Sequence, residues 1–353
     1  MTAAVKEKVK AKTVAKPVRK VATKPTKVTK KVTVEVKKNS VKVAVPTQLT
    51  RPWGKNSTDV SNCNSVSSML KTAGLDWTVE RYPAVINIEG ESHPVGKEVL
   101  VRSTDKRILS VASKRWNHFD NEVVVEFADR MAKKLGNKVN YLGSVRNGQL
   151  IFALSELQGE KFDLFKGNDT ISSYLLFSNP HVYGQAADCR FTAVRDRCYN
   201  TLTQGLQRKG DLEIRMNHRN QFDPEFAEKA LDAARLNMKK YEEMSRLLAS
   251  KTFSKESLNE YYQTVFPTLS VKRGRDANKL SRPGQVAFDS LETQPGAEFG
   301  RGTWWQAYNS ATYALDHIVG RSADNRLYAS WYGLNRVKKN QALKVACEFA
   351  QAA

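Results

Sequence analysis

Residues 139–157 carry the pattern that most restricts the fold. Two apolar runs, Val139–Val145 and Gln149–Leu157, flank Arg146-Asn147-Gly148. Asn-Gly readily takes the positive φ angles of a tight turn, so the two runs read as antiparallel neighbours. A sheet grown from such a hairpin is antiparallel, and the remaining segments must fit around it.

Several do. Trp77–Ile88 (broken by Pro83), Glu98–Ser103 and Ile108–Ala112 alternate like a β-meander. Ile171–Ser178 and Cys189–Val194 read as strands joined by the polar loop NPHVYGQAAD, and Leu212–Met216 as a further short strand. Lys161–Asp169 reads as a loop. Helical spacing predicts a short helix from a cap at Asp59 or Ser61 through Leu70, stopped by Gly74. A second covers Asn121–Leu135, with Asp120 as cap and Val124, Phe127, Ala128 and Met131 on one face. Leu202 and Leu206, with Gly210 as a stop, predict a helix directly after the Cys189–Val194 strand.

From Asp223-Pro224-Glu225 the pattern becomes helical: a long amphipathic helix to Leu248, Lys255–Val265 capped by Ser254, Trp304–Val319 capped by Thr303, and Leu327–Ala350 with Lys338, Lys339 and Lys344 facing outward. Residues 270–300 read as a loop. Trp304, Trp305, Tyr308, Tyr328, Trp331 and Tyr332 read as packing. The predicted class is α+β: a mainly antiparallel sheet with packed helices, a helical C-terminal third and a disordered basic N-terminal tail. The expected divisions are a Lys-rich tail at 1–50, a core at 51–222, and a helical region at 223–353 with a loop at 268–302.

Charge narrows the partners. The chain of 353 residues carries a formal net charge of +21. Residues 1–45 hold 14 Lys/Arg against Glu7 and Glu35, with no aromatic residue. Such a segment cannot bury enough apolar surface to offset its ordering entropy. Its expected partner is nucleic acid, bound through counterion release. No apolar run approaches the roughly 20 residues that span a bilayer, so no membrane partner is expected. The basic N-terminus lacks the apolar stretch of a secretory signal. Cys63, Cys189, Cys198 and Cys347 are scattered, with no CxxC or Cys/His ligand spacing, so no metal is expected. No nucleotide-binding, hydrolase-elbow or zinc-protease motif is present, and neither catalysis nor a cofactor is expected. Cys198 with His181 is the one nucleophile–base pair to consider.

The stretch Ile171–Leu206 supplies the first candidate site. A strand that delivers Arg195, Arg197 and the Asn200-Thr201 pair to a helix start would present free N–H groups and a favourable dipole to an anion, with Tyr199 as a further candidate contact. The competing reading pairs Arg195 and Arg197 with Asp188 and Asp196 and leaves Asn200-Thr201 as a cap. Further candidate phosphate contacts are Arg215, the loop residues Lys272, Arg273 and Arg275, and the tail residues Lys24, Lys27, Lys30 and Lys31. Tyr183 or Tyr199 could stack a base.

Several pieces together resemble a known family: Ala73–Glu80, Val101-Arg102-Ser103, Leu109–Phe119, Gly143-Ser144, Tyr174–Asn179, and Val194-Arg195 with Cys198, Asn200, Thr201 and Leu202. Arg215 and His218 stand near where the pattern continues. Their order and spacing, from Trp53 to Ala350, resemble the phage/plasmid-like proteins built on the domain of unknown function 932. The loop Pro180–Gly184 departs from the family's Asp-Gly-Ser-like turn. The resemblance implies a phage-encoded protein of the bacterial host cytoplasm, or of the virion. Its core is similar at fold level to phage single-strand annealing proteins. The expected function is non-enzymatic single-stranded DNA binding or annealing in recombination or replication, by a homo-oligomer. The alternative is DNA compaction or virion packaging through the tail.

Overall fold

The computed structural model describes residues 51–205, 215–216, 224–268 and 279–353. In chain order these form β1 (Ser57–Asp59), α1 (Val66–Ala73), β2 (Val79–Ile88), β3 (Glu91–Arg102), β4 (Ile108–Ser113), α2 (Asn121–Lys134), β5 (Tyr141–Val145), β6 (Leu150–Phe165), β7 (Asn168–Pro180), β8 (Ala187–Arg195), β9 (Thr201–Gly205) and β10 (Arg215–Met216). Helices follow: α3 (Pro224–Ser250), α4 (Lys255–Val265), α5 (Arg282–Asp289), α6 (Trp304–Tyr313), a π turn at Ala314–Ile318, α7 (Ala323–Trp331) and α8 (Leu334–Ala352). The protein is α+β.

Both sheets are antiparallel. The larger runs β1-β5-β6-β7-β8, and both β9 and β10 pair with the free edge of β8. The smaller is the meander β2-β3-β4. The Asn-Gly turn works as the residue types demand: Asn147 and Gly148 take φ of +57° and +89°, and Val145 pairs with Leu150. Alternation along β6 then divides the side chains between two cores. Ile151 and Ala153 join the core shared with the α2, α3 and α6 side chains, while Leu150, Phe152 and Leu154 join Trp53, Leu327 and Trp331 on the other face. Among the described residues no helix is long and apolar enough to cross a membrane.

Five local expectations are corrected. Lys161–Asp169 is no loop: β6 and β7 continue to the pair Phe165–Asn168, turning at Lys166-Gly167. Phe162 and Leu164 supply a period-two apolar face that the intervening charges hide. Thr201–Gly205 is a strand rather than a helix start, because Tyr199 at φ +51° closes a hairpin that pairs Val194 with Thr201. Within 270–300, Ser281 caps α5 by accepting from the Gly284 N–H, with Pro283 in its first turn. The last helix is two, α7 and α8, separated at Tyr332-Gly333; a Cβ on Gly333 would stand 3.0 Å from the Ala329 Cα. The first helix also starts later than Asp59 or Ser61, capped by Ser65.

Candidate functional site

The predicted anion corner around Arg195 is a buried junction. Arg195 is 3% exposed and ion-paired to Asp169. Its Nη2 also donates to the Gly296 carbonyl at 2.8 Å, and Trp305 Nε1 donates to Asp169 at 2.8 Å. Asn200 is buried too, its amide donating to the Asn309 carbonyl (3.0 Å) and to Thr312 Oγ1 (2.9 Å). The next residue, Thr201, gives both its N–H and its hydroxyl to Asp316, which is ion-paired with Lys339. Arg195 and Asn200 are therefore withdrawn as phosphate contacts: Arg195 is spent on Asp169 and the Gly296 carbonyl, and Asn200 on α6. The pairing of Arg195 with Asp188 fails as well, since Asp188 pairs with Arg190.

Lys339 is likewise corrected from outer surface to core, at 0% exposure, whereas Lys344 is exposed. Cys198 lies under Arg195 with its thiol pushed up to about 11, chiefly by burial and against the opposing arginine charge. It does not meet His181, whose ring nitrogen bonds Asn121 at 2.9 Å.

Two members of the predicted set stay accessible. Arg197 is exposed, its guanidinium 5.0 Å from the Phe299 ring. Tyr199 is half-buried beside Arg51, which also covers Tyr141. Arg215 opens β10, paired with Asp188 in register. Lys24, Lys27, Lys30, Lys31, Lys272, Arg273 and Arg275 lie outside the described residues, as does the tail.

A different region gathers cations and rings. The turn that starts at Arg146 is held against the N-terminus of α7, where Ser322 caps the helix. Asp324 accepts the Arg146 backbone N–H at 3.0 Å and the Asn56 amide at 2.9 Å, so one carboxylate clamps β1, the turn and α7 together. That clamp places the exposed Arg146 guanidinium 3.4 Å from the centroid of Tyr328. Tyr328 and Tyr332 are one helical turn apart with ring centroids at 5.6 Å, and the Arg190 guanidinium lies 5.1 Å from Tyr332. Arg146, Tyr328, Tyr332 and Arg190 thus form a line of successive contacts, two adjacent rings with a guanidinium against each. Beneath it, Trp331 is fully buried edge-to-face on Phe152 at 4.9 Å, which fixes the helix that presents both tyrosines.

Three polar cavities follow this line. One of about 330 Å³ is lined by Lys55, Asn56, Asn147 and Asp324. The next, about 510 Å³, shares Asn147 and Asp324 and adds Arg107, Arg146 and Gln149. The third, about 330 Å³, lies between Tyr328, Tyr332, Arg190 and the β7–β8 loop at Gly184-Gln185. Shared lining residues join the first two, and the Arg146–Tyr328 contact stands between the second and the third of this groove. Lys55 and Arg146 carry no ion pair among the described residues, whereas Arg190 is paired with Asp188 and Arg107 with Asp105. Burial raises the Tyr332 phenol well above the ordinary range, so it stays protonated, bonded to Ser178 Oγ at 2.6 Å.

Sequence reasoning missed this groove. Tyr328 and Tyr332 read as packing, and Arg146 read as part of a turn. The available signal was a tyrosine pair at i and i+4, one side of a helix, but nothing local says that a hairpin turn from far upstream in the sequence would dock on it. Among the described residues no group of His, Cys, Asp or Glu side chains could hold a metal ion.

Comparison with known proteins adds the family. No curated protein and no solved structure matches the chain. Residues 108–341, well over half of the sequence and the span that contains the junction, Arg146, Arg190, Tyr328 and Tyr332, match the model described as Domain of unknown function (DUF932), and the chain belongs to that family.

Proposed function

We propose that this protein binds single-stranded nucleic acid, without covalent chemistry, along the groove between the Asn-Gly turn, α7 and β8. The observation that carries the reading is the tyrosine pair Tyr328–Tyr332 with a guanidinium against each ring, Arg146 and Arg190, beside polar cavities. A single strand offers the matching groups, phosphates for the cations and exposed base faces for the rings. Stacking on tyrosine contributes about 1–3 kcal/mol per base and tolerates any sequence. Guanidinium groups meet phosphates and also stack on bases. A duplex hides its base faces, so ring platforms favour single strands while charge alone hardly discriminates. The net charge of +21 supports long-range attraction of a polyanion. The basic tail would add strand-blind affinity, and annealing of complementary DNA is the activity this reading places behind the binding.

The test is fluorescence anisotropy of the full chain with labelled single-stranded and duplex DNA over a salt series. The expected result is a preference for single strands that Tyr328→Ala reduces about tenfold. Arg146→Ala should weaken binding and lower the salt slope by about one. Equal affinity for both forms, unchanged in both variants, would overturn the proposal and favour DNA compaction through the tail.

A further inference from the structure

The groove has a neighbour that continues its chemistry. Gly184 and Gln185 of the β7–β8 loop wall the third cavity, and the preceding residue, Tyr183, stands outside it with 47% of its surface exposed. This exposure is built. The Tyr183 N–H donates to Ser110 Oγ of β4 at 3.1 Å, which pins the loop to the smaller sheet. The ring meets Trp116 edge-on at 6.0 Å, and Lys97 Nζ lies 5.9 Å from its centroid. Trp116 is itself placed by Arg81, whose Nη1 donates to its carbonyl at 2.9 Å. Lys114 and Arg115 are exposed beside Trp116 in the chain. Strand β4 joins the two regions: its first residue, Ile108, lines the second cavity with Arg107, Ser110 holds Tyr183, and Lys114 follows its last residue. Cations therefore stand at both ends of β4, with an exposed ring between them.

We infer that Tyr183, braced by Trp116 and flanked by Lys97, Lys114 and Arg115, is a second stacking platform for the strand that occupies the groove. The strand leaves the Tyr328–Tyr332 line at Arg190, crosses the β7–β8 loop and reaches the base of the β2–β4 sheet. This inference rests on the nucleic-acid reading and extends it to a longer site than the groove alone provides. It assigns the short polar loop a binding role and leaves the buried junction at Arg195 outside the path.

The experiment uses full-length protein and oligothymidines of about six and about twenty nucleotides, the range over which single-strand sites differ in size. Tyr183→Ala should lower affinity for the long oligonucleotide about tenfold and change the short one less than about twofold, with Tyr183→Phe behaving as wild type. A long oligonucleotide with 5-iododeoxyuridine near one end should photocrosslink to Tyr183, and with the label near the other end to Tyr328 or Tyr332. No loss on the long oligonucleotide, equal loss on both lengths, or no adduct on Tyr183 at any label position overturns the inference, even where Tyr328→Ala still weakens binding. If Tyr328→Ala is silent on both lengths, the groove reading itself falls and the second platform falls with it.

Discussion

Replacing Lys339 with Met measures how far the interior depends on one charge. The Lys339 ammonium and the Asp316 carboxylate are both fully buried, with Nζ to Oδ1 at 2.8 Å and Nζ to Thr201 Oγ1 at 2.7 Å. Asp316 also accepts the Thr201 N–H at 2.8 Å. Burial lowers the Lys339 pKa, and Asp316 opposes that shift, so each group makes the other's charge tolerable. Met fills most of the lysine volume, so the main loss is electrostatic: a carboxylate left unpaired away from water costs about 3–5 kcal/mol. A lysine on the outer face of a helix would cost about 0.5 kcal/mol or less. The two locations are therefore separated by several kcal/mol. Asp316→Asn alone should cost a similar amount by stranding the ammonium. The double variant should recover at least half of the summed loss, because the introduced amide oxygen still accepts from Thr201 and no unpaired charge remains. Urea denaturation followed by tryptophan fluorescence gives all three values. A Lys339→Met loss below about 1 kcal/mol, or strictly additive single losses, would refute a buried, mutually dependent pair.

Two further outcomes follow from the same geometry. His181 and His317 are held neutral, their pKa values lowered to about 3 and about 4 from 6.5, mainly by burial. Below pH 6.5 the unfolded chain binds protons that the folded one refuses. Their contribution is complete above pH 6.5 and is lost as pH falls toward those folded values, by up to about 1.4 kcal/mol per pH unit for each histidine. Thermal midpoints should drop from pH 7 to pH 5, and His181→Gln should flatten the decline; equal slopes in both proteins would show that His181 does not titrate in this way. Gly143→Ala should separate β1 from β5, since a Cβ there would sit 2.0 Å from the Asn56 carbonyl oxygen and 2.7 Å from the Ser57 Cα. The expected loss is about 1–3 kcal/mol or more. Nucleic-acid binding should weaken in parallel because Asn56 is part of the Asp324 clamp. Wild-type stability in urea would contradict that packing.

What the sequence determined by itself was local. Asn147-Gly148, Ser254 before Lys255–Val265 and Pro224 at the start of α3 each act through residues a few positions away, and the turn and the two helices stand where the pattern places them, whereas β3, β6 and β7 run longer than their alternation indicated. The α+β class follows from their order. The pieces that identify the DUF932 family were legible for the same reason, as segments. What tertiary structure decided was which polar groups face inward. Arg195 and Lys339 carry the same chemistry as surface cations; they became core because Asp169 and Asp316 arrive from 26 and 23 residues away to satisfy them. Tyr328 and Tyr332 became a groove wall because Asp324 draws the Arg146 turn onto α7 from 178 residues away. Charge and aromaticity are properties of a residue, but burial and stacking belong to pairs, and pairs this distant in sequence meet only when the chain has folded.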